Sequence, residues 1–519
     1  MKEGNNEINQ SHTQSNKRIA KNTMMLYVRM LLTMGVSLYT SRVVLEALGV
    51  EDYGVYNVVG GMVSMFTMIS GSLSNAISRF ITYEIGKGNK ARLKLIFSTS
   101  IIIQLIFSVI IIVLIETVGV WFLNNEMNIP QESMQAARWV LQFSMLALVV
   151  NLLSIPYNAL IIANEKMFAF AYVSILEAFG KLSIAYLIMI SPMHRLVFYA
   201  LLMFVLSLIV RLVYGFYCKV KFEEAKNIMF SFDKDLFKEM FGFAGWNFIG
   251  SSAGMLKNQG VNIMLNVFFG PVVNAARGIA MQVNTALNRF VGNFMIALNP
   301  QITKSYASGD KKYMMQLIYK GAKYSYFLLF MLSLPILFET KQILSLWLVD
   351  VPDHTVSFVR LILIDTLITA LVNPLVTAQL ATGNIKTYQI VVGGIHMLNL
   401  PFAYFCLKLE LPVESVLYVA IILSIICLFA RLYFLRYMIS LSIREFFYNV
   451  IFKITIVSII TIVLPFVLYY RFPETIFRLI VIIVLGTIVL ASVIYFIGID
   501  VEEKAVVKKV ISKFKIKKI

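Results

Sequence analysis

Residues 47–62 read ALGVEDYGVYNVVGGM and residues 268–283 read FFGPVVNAARGIAMQV, and an ungapped shift of 221 positions lays the first on the second. The same shift lays RFITYEIGKGNKARL (79–93) on PQITKSYASGDKKYM (300–314). Gly49, Gly71, Ala76, Ile81, Gly88 and Lys90 then meet Gly270, Gly292, Ala297, Ile302, Gly309 and Lys311. LIETVGVWFL (114–123) parallels LFETKQILSLWL (337–348). IIANEKMFAF (161–170) parallels QLATGNIKTY (379–388) at a shift of 220, with Asn164 and Lys166 on Asn384 and Lys386. A nearly constant offset over such length marks an internal duplication.

The duplicated material is membrane-spanning. Of the 519 residues, 59% are hydrophobic and 14% charged, and apolar stretches recur at the ~20 residues a helix needs to cross a bilayer core. Spans are predicted near 23–44, 54–82, 95–123, 138–163, 168–190, 196–218, 243–268, 271–299, 315–338, 357–381, 387–407, 413–435, 448–470 and 475–498, about fourteen in all. The predicted fold is an all-α integral membrane protein with two six-helix lobes. Six is even, so both lobes enter the membrane from one side and form a parallel repeat with a cleft between them. The expected divisions are a cytoplasmic tail (1–22), an N-lobe (23–218), an amphipathic cytoplasmic linker (219–242), a C-lobe (243–437), two added spans (448–498) and a basic tail (499–519). The polar start leads into a full-length first span without a short apolar region or cleavage site, so no cleaved signal peptide is expected. Cys218, Cys406 and Cys427 have no ligand spacing and are expected as small buried residues.

Basic residues mark the cytoplasmic side. Lys17, Arg18 and Lys21 precede the first span; Lys87, Lys90, Arg92 and Lys94 follow the second; Lys219, Lys221, Lys226, Lys234 and Lys238 follow the sixth; Lys304, Lys311 and Lys312 follow the eighth. The alternate connections are poor in base, with Arg195, Lys341, Lys408 and Arg471 mostly one apiece. Both termini are therefore expected inside, and this alternation explains much of the +18 net charge without nucleic acid. In FSFDKDLFKEMFGF (230–243), Leu236, Phe237 and Met240 suit an interfacial connector. In the C-terminal VEEKAVVKKVISKFKIKKI, Val507, Val510, Ile511 and Phe514 recur at helical spacing among seven lysines. That suits either a solvated tail or a helix on an anionic leaflet.

The eighth span is too polar for a lipid-facing helix. Asn274, Arg277, Gln282, Asn284, Asn288, Arg289 and Asn293 fall within about half of its circumference. Lys257, Asn258, Gln259 and Asn262 crowd the seventh. Amides can glue helices together by hydrogen bonds, but Lys257, Arg277 and Arg289 call for a partner or a water-filled cavity. Arg29 lies two turns into the first span and Arg42 at its far end, where it can snorkel. Lys181 has Glu177 one turn earlier, an intrahelical pair. Asp365 is the isolated deep carboxylate; it either neutralises a cavity base or binds a coupling cation, a proton or a sodium ion. With Arg29, Lys257, Arg277 and Arg289 outweighing it, the cavity should attract anions. Pro156 and Pro374, late in the fourth and tenth spans, suit helix hinges or static kinks. Four histidines, no metalloprotease, phosphate-loop or serine-hydrolase motif and no long connection give catalysis little support. Without an ATP site, transport would draw on an ion gradient, the membrane potential or downhill cargo.

The opening NTMMLYVRMLLTMGVSLYTSRVVLEALGVEDYGVYNVVGGM (22–62) resembles that of bacterial polysaccharide-biosynthesis flippases, with an Asn-Thr start, a basic residue in the first span and an LG-x-EDYG-x-Y turn. ATGNIKTY (381–388) resembles the Thr-Gly-x-x-Lys turn after their tenth span. The resemblance implies the multidrug/oligosaccharidyl-lipid/polysaccharide (MOP) exporter superfamily, and within it the O-antigen type of flippase in the bacterial inner membrane. As partners it implies an undecaprenyl-diphosphate-linked oligosaccharide, membrane lipids and other polysaccharide-assembly proteins. It implies no cofactor, and basic cavity residues such as Arg29. A drug or metabolite exporter of the same superfamily would favour cavity carboxylates. A membrane-embedded polysaccharide polymerase would show a large outer loop with clustered Arg or His.

Cysteines introduced at Gly88 and Gly309 should be labelled from the cytoplasm and one at Asn125 from outside. Labelling of position 88 from outside would reverse the orientation.

Overall fold

The computed structural model describes residues 2–125, 129, 131–191, 193–226, 233–269, 271–348, 351–500 and 503–505. It is 90% helical with no strand among them. In chain order the helices are α1 (Lys2–Met65), α2 (Thr67–Lys87), α3 (Lys90–Leu114), α4 (Val120–Asn125), α5 (Gln131–Ala163), α6 (Met167–Leu187), α7 (Arg195–Lys221), α8 (Lys234–Phe269), α9 (Pro271–Ala307) and α10 (Lys311–Phe338). There follow α11 (Thr340–Trp347), α12 (Thr355–Ala370), α13 (Asn373–Thr382), α14 (Lys386–Met397), α15 (Asn399–Lys408), α16 (Ser415–Ile439), α17 (Ile443–Phe446), α18 (Lys453–Arg471) and α19 (Ile476–Val493).

Ten stretches among the described residues are long and apolar enough to cross a bilayer. The other four of the fourteen expected spans fall on α1 with α2, on α8 and on α9, which are helical but more polar. Two expectations are refined. The chain is helical from Lys2, so the polar start continues into the first span as one helix, broken only where Gly49 takes φ +79°. Leu236, Phe237 and Met240 belong to the first turns of α8 rather than to a separate connector. Val507, Val510, Ile511 and Phe514 lie outside the described residues.

The chain divides into two compact units: Met1–Phe248 with Ile296–Asp310, and Ile249–Met295 with Lys311–Ile519. In unit 1, α5 runs along α7 and α1 along α6, and α5 also meets α2 and α3. Val59, Ile111, Ile115, Leu123, Ala137 and Val140 form part of its dry centre. In unit 2, α12 and α15 pack on α16, and α10 meets α12, α18 and α19. Large side chains left exposed on the spans, such as Leu212, Ile459 and Phe477, suit contact with lipid. Buried hydroxyls turn back on their own helix, as Thr82 Oγ1 does to the Ser78 carbonyl at 2.6 Å and Ser100 Oγ to that of Ile96 at 2.7 Å.

The duplication is visible in backbone detail. Gly88 (φ +72°) ends α2 and Gly309 (φ +79°) follows α9; each donates its N–H three residues back, to Ile85 and Tyr306, at 3.2 Å. Left-handed backbone is what glycine supplies at low cost. The paired Glu-Thr stretches also mark like events. Glu116 and Thr117 lie in a wide helical turn, Ile115–Gly119, after α3, and Glu339 interrupts the helix between α10 and α11. Within unit 1, Gly86 lets α2 approach α9, because a Cβ there would lie 2.8 Å from the Lys304 carbonyl oxygen.

Ion pairs tie the ends of the units. In unit 2, Arg478 grips Glu339 through Nε and Nη2 at 2.6 and 2.8 Å, and its Nη1 donates to the Tyr469 and Phe472 carbonyls at 3.1 and 2.7 Å. Lys323 Nζ donates to Glu503 at 2.9 Å.

Breaking the buried Arg478–Glu339 pair by Glu339→Ala should cost about 3–5 kcal/mol, because it strands a buried charge. Replacing both partners by apolar residues, Glu339→Leu with Arg478→Met, should recover part of that loss. Thermal unfolding in detergent checks both. Since Gly88 and Gly309 hold positive φ, Asn89 and Ser308 are the less strained labelling positions.

Candidate functional site

The polar stripe of α9 resolves into two kinds of residue. At 100° and 1.5 Å per residue, Arg277 and Arg289 stand about 120° apart around the helix and about 18 Å apart along it. They cannot share one face. Arg277 is 6% exposed; its Nη2 donates to the Asn258 carbonyl of α8 at 3.2 Å, and its Nη1 is buried with no hydrogen-bond partner. Asn284 accepts from Asn288 Nδ2 at 2.8 Å and from Thr366 Oγ1 of α12 at 2.7 Å. Asn293 is buried. Arg277, Asn284, Asn288 and Asn293 thus stand largely among neighbouring groups, as hydrogen-bonding glue between membrane helices does.

The other face is open. Gly278, Gln282, Thr285, Ala286, Arg289 and Gly292 are exposed and recur at helical spacing. Around Arg289 no hydrogen bond or ion pair forms among the described residues. A lipid-facing stripe would carry Leu, Ile or Phe; this one carries small and polar groups, which suit water. Asn258 is exposed and Asn262 half-buried on α8. The side chains of Gln259 and Asn274 lie outside the described residues.

Lys257 is half-buried and lies near enough to Asp365 of α12 and His396 of α14 to act on both electrostatically. Asp365 Oδ1 is buried without a hydrogen-bond partner. The remaining expected cation, Arg29, belongs to unit 1, where its Nη1 donates to Ser174 Oγ at 3.4 Å and its guanidinium lies 4.8 Å from the Phe170 ring. Pro374 opens α13 directly after the break at Leu371 and Val372, whereas Pro156 lies inside the uninterrupted α5.

Two polar sites were not anticipated. Arg79 lies over the Phe80, Tyr83 and Phe243 rings at 4.6, 4.8 and 5.5 Å. Glu165, buried in the turn before α6, accepts from Gln301 Nε2 at 2.6 Å, binds Lys304 closely and has Arg18 at 3.8 Å. One sequence signal pointed to Glu165. The paired turns ANEK and GNIK agree at Asn and Lys but place this acid in the first copy alone.

The sequence model of the family described as polysaccharide biosynthesis protein matches residues 19–306, more than half of the chain. The chain belongs to that family. A relative of this polysaccharide biosynthesis protein, the membrane protein EpsK of Bacillus subtilis (strain 168), is 19% identical over 298 residues. The match covers 56% of this chain and 58% of EpsK, so the chain spans somewhat over half of that relative's length. Among solved structures, an outward-facing multidrug resistance MATE family transporter of the MOP superfamily superposes with a TM-score of 0.69 at 14% identity, over 81% of this chain and 96% of the other. The MATE transporter ClbM in complex with Rb+ gives 0.66 at 15%, over 82% and 96%. At such identities these likenesses show the fold alone, an all-α architecture shared with those MATE transporters. The chain is thus a multi-pass, all-α membrane protein of that family.

Arg277→Ala should lower membrane abundance several-fold, because it removes a buried α8–α9 link, whereas Arg289→Ala should leave abundance at the native level. Quantitative immunoblotting of membranes separates the two.

Proposed function

We propose that this protein is an inner-membrane flippase for undecaprenyl-diphosphate-linked oligosaccharides, the repeat units of a surface polysaccharide. The single observation that carries the reading is the open stripe of small and polar residues on α9 that includes the exposed Arg289, which forms no hydrogen bond or ion pair among the described residues, in a membrane protein of this family. A lipid-linked glycan has a polyprenyl tail at home in hydrocarbon, an anionic diphosphate and a hydrophilic head too costly to move through lipid. A wet helix face lets the head cross while the tail stays outside. An exposed guanidinium gives the diphosphate a bidentate, always charged partner.

The four cations take different roles. Arg289 is the one we assign to direct contact with the diphosphate. Arg277 and Lys257 add positive potential from partly buried positions, and Asp365 offsets Lys257. Arg29, in unit 1, is held by Ser174 and the Phe170 ring. Gln282 and Asn258 are exposed amides suited to glycan hydroxyls. Rocking of the two lobes gives alternating access, with the break before Pro374 as a flexible point.

Depletion of the protein should trap the lipid-linked oligosaccharide on the inner leaflet, read by its protection from an externally added glycan-modifying enzyme in intact spheroplasts. Arg289→Ala should reduce polysaccharide output about tenfold or more at normal abundance. Arg289→Lys should restore part of it and Arg289→Gln little, since attraction of an anion dominates. Full output from the Gln variant, or outer-leaflet accumulation on depletion, would overturn the proposal.

A further inference from the structure

Unit 1 contains a partly enclosed cavity of about 230 Å³ between α1, α5, α6 and α7. It is smaller than the ~300–1,000 Å³ of pockets for drug-sized ligands, and suits a single sugar ring. Tyr56, Phe143, Asn151, Glu177, Lys181 and Ser207 all line it. Lys181 Nζ lies 2.7 Å from Glu177 Oε1, yet the two side chains remain 43% and 42% exposed. Both stand near the middle of a 24-residue span, Met167–Ile190. An accessible ion pair at that depth needs water or a polar ligand beside it.

The chemistry of the wall selects the ligand. The pair is neutral overall, so the cavity does not act as an anion trap as Arg289 does. A carboxylate, an ammonium, an amide and a hydroxyl supply acceptors and donors in close order. Two fixed rings supply apolar surface: Tyr56 packs edge-on against Tyr199 at 4.7 Å, and Phe143 stacks with Trp139 and with Phe204 at 5.7 and 6.3 Å. Polyhydroxylated rings with apolar faces match that combination. A bare diphosphate or a polyprenyl chain does not.

We propose that this cavity is a sugar-ring subsite that holds one residue of the transported glycan, a site that rests on the flippase reading and adds glycan selectivity to it. The Glu177–Lys181 pair then serves as a reader of hydroxyl, amino or carboxyl groups on that residue, beyond the helix-stabilising pair its spacing alone implies.

The test uses the full chain in lipid nanodiscs with Ser207→Cys, a change that keeps a small polar side chain. Reaction of the new thiol with a charged methanethiosulfonate reagent is followed by mass spectrometry. Retention of radiolabelled lipid is measured beside it. Without lipid the thiol should react. Undecaprenyl-diphosphate-linked oligosaccharide extracted from the producing cells should slow the reaction by about tenfold, and sugar-free undecaprenyl diphosphate should leave it nearly unchanged. Glu177→Gln should abolish the protection while lipid retention persists. Four results would overturn the subsite: a thiol that does not react without lipid, equal protection by the sugar-free lipid, retention of the glycan lipid without protection, or protection that survives Glu177→Gln. Retention of neither lipid would overturn the flippase reading, and the subsite with it.

Discussion

Inside hydrocarbon a polar side chain must meet another polar group or water, and that constraint organises both units. Where Arg277 or Arg478 is buried, a carbonyl or carboxylate of a neighbouring helix meets it, and the half-buried Asn284 accepts from the Thr366 hydroxyl. Where Arg289 and Gln282 are exposed, the residues around them are small or polar rather than Leu or Phe. Apolar packing gives little net drive between helices in lipid. Hydrogen-bonded contacts such as these therefore carry more of the specificity than they would in a soluble bundle.

The two units solve a common backbone problem with different side chains. Both turn through a left-handed glycine after the second helix of the repeat, and both interrupt the next helix near a Glu-Thr pair. Backbone geometry has been kept where it sets helix ends. The side chains have diverged. Unit 1 holds an ion pair of no net charge beside a cavity, and unit 2 holds an exposed arginine on an open face.

The membrane-spanning helices and the polar character of the seventh and eighth spans were legible in the sequence because each is a local or periodic signal. Hydropathy over about 20 residues reports a span, and a constant shift reports a repeat. Family resemblance lay in contiguous motifs, NTMM through NVVGGM, and the family match covers the same region. The site was legible only as a stripe. Half a helix circumference is wide enough to include both a packed and an open face, so periodicity alone could not separate Arg277 from Arg289.

Composition and spacing by themselves determined an all-α membrane protein, a doubled architecture and an excess of deep cations. Tertiary structure decided how those cations differ in burial and partners: Arg277 meets the Asn258 carbonyl and Arg29 the Ser174 hydroxyl, whereas Arg289 stands exposed. It also decided that Glu177 and Lys181, one helical turn apart and self-sufficient in sequence, border a cavity built from three other helices. A void is a property of surfaces that fail to meet, and no single helix carries a record of it.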